Sequence, residues 1–176
     1  LFPSGGFDKV TAVGILEHIG HKNYNQFMKV VNHALIPEGR CLFQTLYSPT
    51  DRILSNPWVC KHIFPNHELP PLNIIKSVAS KYFQPADRVA FQDLTPHYVK
   101  TLLVWNERLN KAVDNEVINL EPKEHRKWNF YFLSCAGALR AEHMRVGQFV
   151  YEKNSYAWPR ILRGLTVSGR PAVELA

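Results

Sequence analysis

Residues 7–46 restrict the folding options of this chain more than any other stretch. Phe7-Asp8-Lys9-Val10-Thr11-Ala12-Val13-Gly14 is a short apolar run closed by glycine, the pattern of a strand buried in a parallel sheet. A polar turn, Gly20-His21-Lys22-Asn23, leads into an amphipathic stretch over residues 24–35, with Phe27, Val30, Val31 and Ala34 on one helical stripe. Pro37-Glu38-Gly39 predicts the stop and the turn, and residues 40–46 (RCLFQTL) a second strand. Strand, helix and strand at this spacing form the crossover unit of doubly wound α/β domains. Ligands of such sheets sit beyond the carboxyl ends of the strands. Residues 14–18 and 44–47 are therefore expected side by side at a ligand-facing rim.

The rest of the chain is less regular. Residues 56–71 (NPWVCKHIFPNHELPP) are too broken by proline for a long element and predict a loop that wraps over the sheet as a lid. Residues 72–81 read as a helix and residues 87–91 as a strand. Pro96 opens a helix running to about residue 113, since proline suits the first turn. A second helix is expected over residues 122–142, and the weak alternation of residues 145–152 predicts a final antiparallel strand. From residue 153 onward no period is visible, so residues 1–152 form one domain portion and residues 153–176 an irregular tail.

Composition limits the functional classes. With 45% hydrophobic and 12% aromatic residues, the 176-residue chain can fill a core. No apolar run approaches the roughly 20 residues that span a bilayer. Three cysteines, Cys41, Cys60 and Cys135, lack CxxC spacing, and the eight histidines show no HExxH pattern, which argues against disulfide and metal scaffolds. The net charge of +6 is spread along the chain without a Lys/Arg block, so a nucleic-acid partner is not expected. The first residues, Leu1-Phe2-Pro3-Ser4, carry neither an initiator Met nor a signal peptide and read as the start of a fragment or of a processed chain.

Several strings coincide in one order: FDKVTAVGILEHIGHKNY, LIPEGRCLFQTL, NPWVCKHIFPNHELP, HYVKTLLVWNERL and YFLSCAGALRA. Over residues 7–152 the chain thereby resembles the C-terminal part of the cyclopropane-fatty-acyl-phospholipid synthase and mycolic acid cyclopropane synthase family. EHIGHKNY, KHIFPN and CAGALRA together carry the specificity; an FD before an apolar strand is common to many methyltransferases. The resemblance implies a Rossmann-like class I S-adenosylmethionine-dependent methyltransferase fold, entered at its fourth strand and carrying a helical lid. It also implies addition of a methyl group to a cis double bond of a lipid acyl chain, followed by proton loss and closure of a three-membered ring. The glycine-rich cofactor loop of that fold has no counterpart here, since no GxG occurs. The chain by itself is accordingly expected to be inactive.

Glu17 follows the strand by a few residues, so its carboxylate should face the cleft. The resemblance makes Glu17, Gln44, Leu46 and Tyr98 a bicarbonate site, with Glu17, Gln44, Tyr98 and Cys135 as catalytic candidates and Val13 and Gly14 as cofactor contacts. A base is needed because methylating an alkene leaves a cation that must lose a proton in a water-poor site. Gln44 is the main departure: the family usually has His there, and glutamine hydrogen-bonds but cannot shuttle a proton. Tyr98 can also face a cation with its ring. Cys135 matches a cysteine described as active-site in the family, yet alkene methylation needs no thiolate, and a small apolar residue there suits helix packing. His18 is a structural histidine or, in amine methyltransferases of related type, a partner of the preceding Glu. Trp58, Phe64, Trp105, Trp128 and Phe132 are candidates for an acyl-chain tunnel or for plain core.

The implied partners are an unsaturated phospholipid and the membrane surface, from a cytoplasmic, peripheral position at the inner membrane face. A homodimer is compatible with this reading. Two rivals remain at this stage: a small-molecule N- or C-methyltransferase of the same fold, suggested by Glu17-His18 and Gln44, and a non-catalytic paralogue. No residue pattern implies a metal.

Overall fold

The computed structural model describes residues 6–86 and 90–154. In chain order it contains β1 (Phe7–Val13), α1 (Leu16–Ile19), a 3-10 turn, α2 (Tyr24–Ala34), β2 (Leu35–Tyr47), α3 (Pro57–His62) and α4 (Leu72–Ala79). It continues with β3 (Phe83–Pro85), β4 (Phe91–Asp93), α5 (Thr95–Asp114), α6 (Pro122–Arg140) and β5 (Arg145–Lys153).

The strands form one mixed sheet. β1 lies parallel to β2, from Lys9 opposite Arg40 to Val13 opposite Gln44. β2 pairs antiparallel with β5 over its carboxyl half, from Arg40 opposite Glu152 to Tyr47 opposite Arg145. β3 and β4 lie end to end along the far edge of β5. The parallel pair β1–β2 with α2 between is the expected crossover, and the antiparallel β5 is also where the alternation placed it.

Two features differ from the sequence expectation. The second strand begins at Leu35, five residues early, and the Pro37-Glu38-Gly39 turn is a bulge inside it. The register jumps from Phe7 opposite Leu35 to Lys9 opposite Arg40, with Glu38 in the left-handed region at φ 63°. Gly39 is required by proximity, because a Cβ there would stand 2.9 Å from Ile36 O and 3.2 Å from Asp8 O. The buried stripe of α2 also differs: Tyr24, Met28, Val31 and Ala34 face the core, while Val30 is exposed. The helix is rotated so that Tyr24 and Met28, one turn apart, fill the space against the sheet.

Two cores sandwich the sheet. On one face Tyr24, Met28, Leu35, Phe43, Ile75, Phe83 and Phe149 form a continuous cluster under α2 and α4. On the other, Val99 and Leu102 of α5 and Ala136 and Leu139 of α6 pack on Val146. Truncating a fully buried aromatic such as Phe43 costs about 3–5 kcal/mol.

Residues 56–71 do more than loop. Asn56 accepts from the Trp58 and Val59 N–H groups and Pro57 occupies the first turn, which starts the short helix α3 inside a proline-rich run. Trp58 then meets Phe130 of α6 edge-on at 4.6 Å, so the segment is braced on α6. Isolated bridges of Ser48 with Pro71 and Leu54 with Leu69 close its ends. The strand expected at residues 87–91 is displaced: β4 runs over Phe91–Asp93 and shares only Phe91 with it, while positions 87–89 lie outside the described residues, as does the tail beyond residue 154. No described helix is long and apolar enough to cross a membrane.

Candidate active site

The rim begins where β1 ends. The Gly14 N–H donates to Gln44 O at 2.9 Å, which extends the ladder one step and lets Gly14 turn the chain at φ 64°. The four residues of α1 follow, and Leu16 and Glu17 are both buried. Three contacts hold them. The Tyr24 hydroxyl donates to Leu16 O at 2.8 Å, and burial pushes that phenol far above its ordinary range, so it stays a donor. The Glu68 N–H donates to Glu17 O at 3.0 Å. The Glu68 carboxylate accepts from the His21 backbone N–H and pairs with His21 Nδ1 at 2.9 Å, so one residue of the proline-rich segment clamps the turn on both sides.

Glu17 is thereby fixed with only 4% of its surface exposed. Its Oε1 accepts the Leu46 N–H at 2.9 Å, while Oε2 is buried with no hydrogen-bond partner. A buried carboxylate oxygen without a donor costs several kcal/mol (about 1–3 or more), unless a ligand supplies the missing proton or hydrogen bond.

The opposite wall comes from α5. Asp93 Oδ1 accepts the Thr95 N–H at 2.8 Å, Pro96 opens the helix, and the Val146 N–H donates to Thr95 Oγ1 at 3.0 Å. With its first turn tied to β5, α5 brings Tyr98, Thr101 and Trp105 over the strand tips at helical spacing. The result is a cavity of about 380 Å³ lined by Val13, Gly14, Glu17, Gln44, Leu46 and Tyr98, together with Thr101 and Trp105. Burial, then the Glu17 charge and then Cys135, push the Tyr98 phenol up, so it is a protonated donor.

Cys135 stands apart from this cavity. It lines a neighbouring one of about 250 Å³ with Tyr131, His67, Leu69 and Met144, and Leu46 borders both. Burial raises its thiol to about 11, offset in part by hydrogen bonds with Tyr131 and Ser134. His18 is exposed, edge-on to Phe64 at 5.0 Å and 5.6 Å from His67. The five aromatics considered for a tunnel divide into two groups. Trp58 and Phe64 pack on Phe130 and Tyr131, whereas Trp105, Trp128 and Phe132 line a groove of α5 and α6 that shares Trp105 with the Glu17 cavity.

Three contributors escaped sequence reasoning. Tyr131 precedes Cys135 by one helical turn, a spacing that could have flagged it. His67 and Gln148 had no such signal, because each reaches its site only through tertiary structure. Among the described residues no His/Cys/Asp/Glu group could hold a metal.

Residues 2–149 match the model of the mycolic acid cyclopropane synthetase family. The chain belongs to that family. The family's members are S-adenosylmethionine-dependent methyltransferases. The cyclopropane-fatty-acyl-phospholipid synthase of Escherichia coli K12 is 32% identical over 157 residues, covering 89% of this chain and 40% of that protein. Among solved structures, the cyclopropane synthase MmaA2 from Mycobacterium tuberculosis superposes with TM-score 0.75 at 23% identity, over 85% of this chain and 56% of that one. The mycolic acid cyclopropane synthase CmaA1, complexed with SAH and CTAB, superposes with TM-score 0.73 at 24% identity and the same coverage. The chain therefore spans about half or less of the length of these relatives, and its fold is part of the Rossmann-like methyltransferase fold that they share.

Proposed function

We propose that this chain supplies the acceptor-side half of an enzyme that methylates the cis double bond of an unsaturated phospholipid acyl chain and closes it to a cyclopropane. The observation that carries the reading is Glu17 Oε2, buried and unpartnered in a cavity that it shares with Gln44 and Tyr98. A protonated anion such as bicarbonate fits there: it can donate to Glu17 and accept from the Tyr98 hydroxyl and the Gln44 amide. When bound, bicarbonate would supply the base that the ring-closing proton loss requires. Glu17 orients it, Tyr98 and Gln44 donate to its oxygens, and Leu46 fixes Glu17 through its backbone.

S-adenosylmethionine would supply the methyl group. Val13 is 55% exposed at the strand tip, and nothing lies within 4 Å of a Cβ placed on Gly14, so both can lie against a bulky ligand. The cavity bounded by Leu46, Leu54, Val59, Leu69 and Met144 offers apolar walls to an acyl chain. Cys135 sits beside that path as packing. In this reading the net charge of +6 helps a peripheral protein dock on anionic lipid at the cytoplasmic, inner face of the membrane.

The test uses the full-length gene product with S-adenosylmethionine and vesicles of unsaturated phospholipid in buffers with and without bicarbonate. A gain of one CH2 per double bond, dependent on bicarbonate, is expected. Methylation of a small amine with no lipid product would replace this reading by that of a small-molecule methyltransferase. For the 176 residues alone, calorimetry with S-adenosylmethionine is expected to give no binding; tight binding would show that the cofactor site is complete without further chain.

A further inference from the structure

Gln44 reaches the cavity from near the carboxyl end of β2, directly opposite Gln148 of β5 in the antiparallel register. The Gln148 Nε2 donates to Gln44 Oε1 at 2.7 Å, and both side chains are half-buried. A primary amide has one acceptor end and one donor end. Once its oxygen is held by Gln148, the Gln44 NH2 is the end left for the cavity. The reverse orientation would turn the Gln44 carbonyl toward the Glu17 carboxylate that lines the same space, placing two negative ends together.

We infer that Gln148 is a positioning residue: it fixes the polarity of the Gln44 amide so that an N–H donor faces a small oxyanion held beside Glu17. This rests on the anion-binding reading above and adds the element that makes glutamine suitable at position 44. A glutamine free to rotate would offer either end, and only one end attracts an anion.

The test compares Gln148→Glu and Gln148→Met in the full-length gene product, titrating bicarbonate at saturating lipid and S-adenosylmethionine. A glutamate cannot donate, so Gln44 must turn its NH2 toward position 148 and its carbonyl toward the anion. The bicarbonate KM of Gln148→Glu should rise roughly ten- to a hundredfold, the range expected for losing a hydrogen bond to a charged group, with the lipid and S-adenosylmethionine KM values unchanged. Gln148→Met, which removes the donor without adding charge, should show a smaller rise in the same parameter. Adding Gln44→His to Gln148→Glu should restore bicarbonate affinity, because an imidazolium paired with the glutamate presents its other N–H to the anion. A bicarbonate-dependent wild type whose KM is unmoved by Gln148→Glu overturns the inference and leaves the anion site standing. Equal losses in every parameter, with a normal melting curve, would also overturn it and make Gln148 merely structural. A wild type indifferent to bicarbonate removes the anion reading itself, and this inference with it.

Discussion

The Leu46 N–H donates to Glu17 Oε1 across 2.9 Å, so one carboxylate oxygen is anchored to the sheet and the other is free for a ligand. Glu17→Gln keeps an oxygen for Leu46 and replaces the free oxygen by an amide N–H. Turnover of unsaturated phospholipid should fall by roughly a hundredfold, the upper range for losing a charge-assisted hydrogen bond that orients the anion. The melting temperature should move little, because the anchor survives. Wild-type turnover in this variant would remove Glu17 from the chemistry.

Tyr98 faces Glu17 from α5 with its phenol pushed above the ordinary value of 10.0. Because the shift is upward, the hydroxyl stays protonated from neutral pH into the mildly alkaline range and acts as a donor throughout. Tyr98→Phe should lower kcat/KM roughly ten- to a hundredfold through loss of one hydrogen bond to a charged ligand. The alkaline limb of the pH–rate profile below pH 10 should keep its position, since Tyr98 is not the group that titrates there. A limb that vanished in the variant would assign that ionisation to Tyr98.

Cys135 invites the opposite expectation. With its thiol at about 11 it is un-ionised at neutral pH, and it borders the second cavity instead of the one that holds Glu17. Cys135→Ala should retain activity within roughly threefold and lose about 1 kcal/mol of stability, the cost of one small group from a partly buried position. Alkylation by iodoacetamide at neutral pH should be slow. Loss of activity beyond a hundredfold in Cys135→Ala, with folding intact, would make the thiol a participant.

The rim was legible in the sequence because the apolar run of residues 7–13 and the strand around Phe43 are local signals, and a parallel crossover leaves their tips adjacent. The α5 start was legible from Pro96. Residues 36–39 were not, since Pro-Glu-Gly suits a terminal turn as well as a bulge, and only the approach of Asp8 O to Gly39 distinguishes them. β3 and β4 have three residues each and borrow their stability from β5, so they carry no period of their own. The Gln44–Gln148 bond depends on a register set by strands 104 positions apart, which local patterning cannot supply. α3 was hidden because its cap and first-turn proline resemble loop punctuation.

His67 yields a prediction about stability. It is 9% exposed, its Nδ1 is buried without a partner, and its pKa is lowered to about 4. Burial is the main cause, the neighbouring His18 adds to it, and Glu68 opposes both. The sign follows from proton counting. Below pH 6.5 the unfolded chain binds a proton at this residue while the folded chain does not, so stability is full above that value and declines as pH falls toward 4. The shift corresponds to about 3 kcal/mol, a large share of a domain's typical stability. His67→Gln removes the titrating group while retaining a polar side chain, so its stability should be flatter across this window than that of wild type. Urea melts at a series of pH values check this. Parallel curves for the two proteins would show that the acid sensitivity arises elsewhere, and would leave the unpartnered Nδ1 as a group satisfied by solvent in the second cavity.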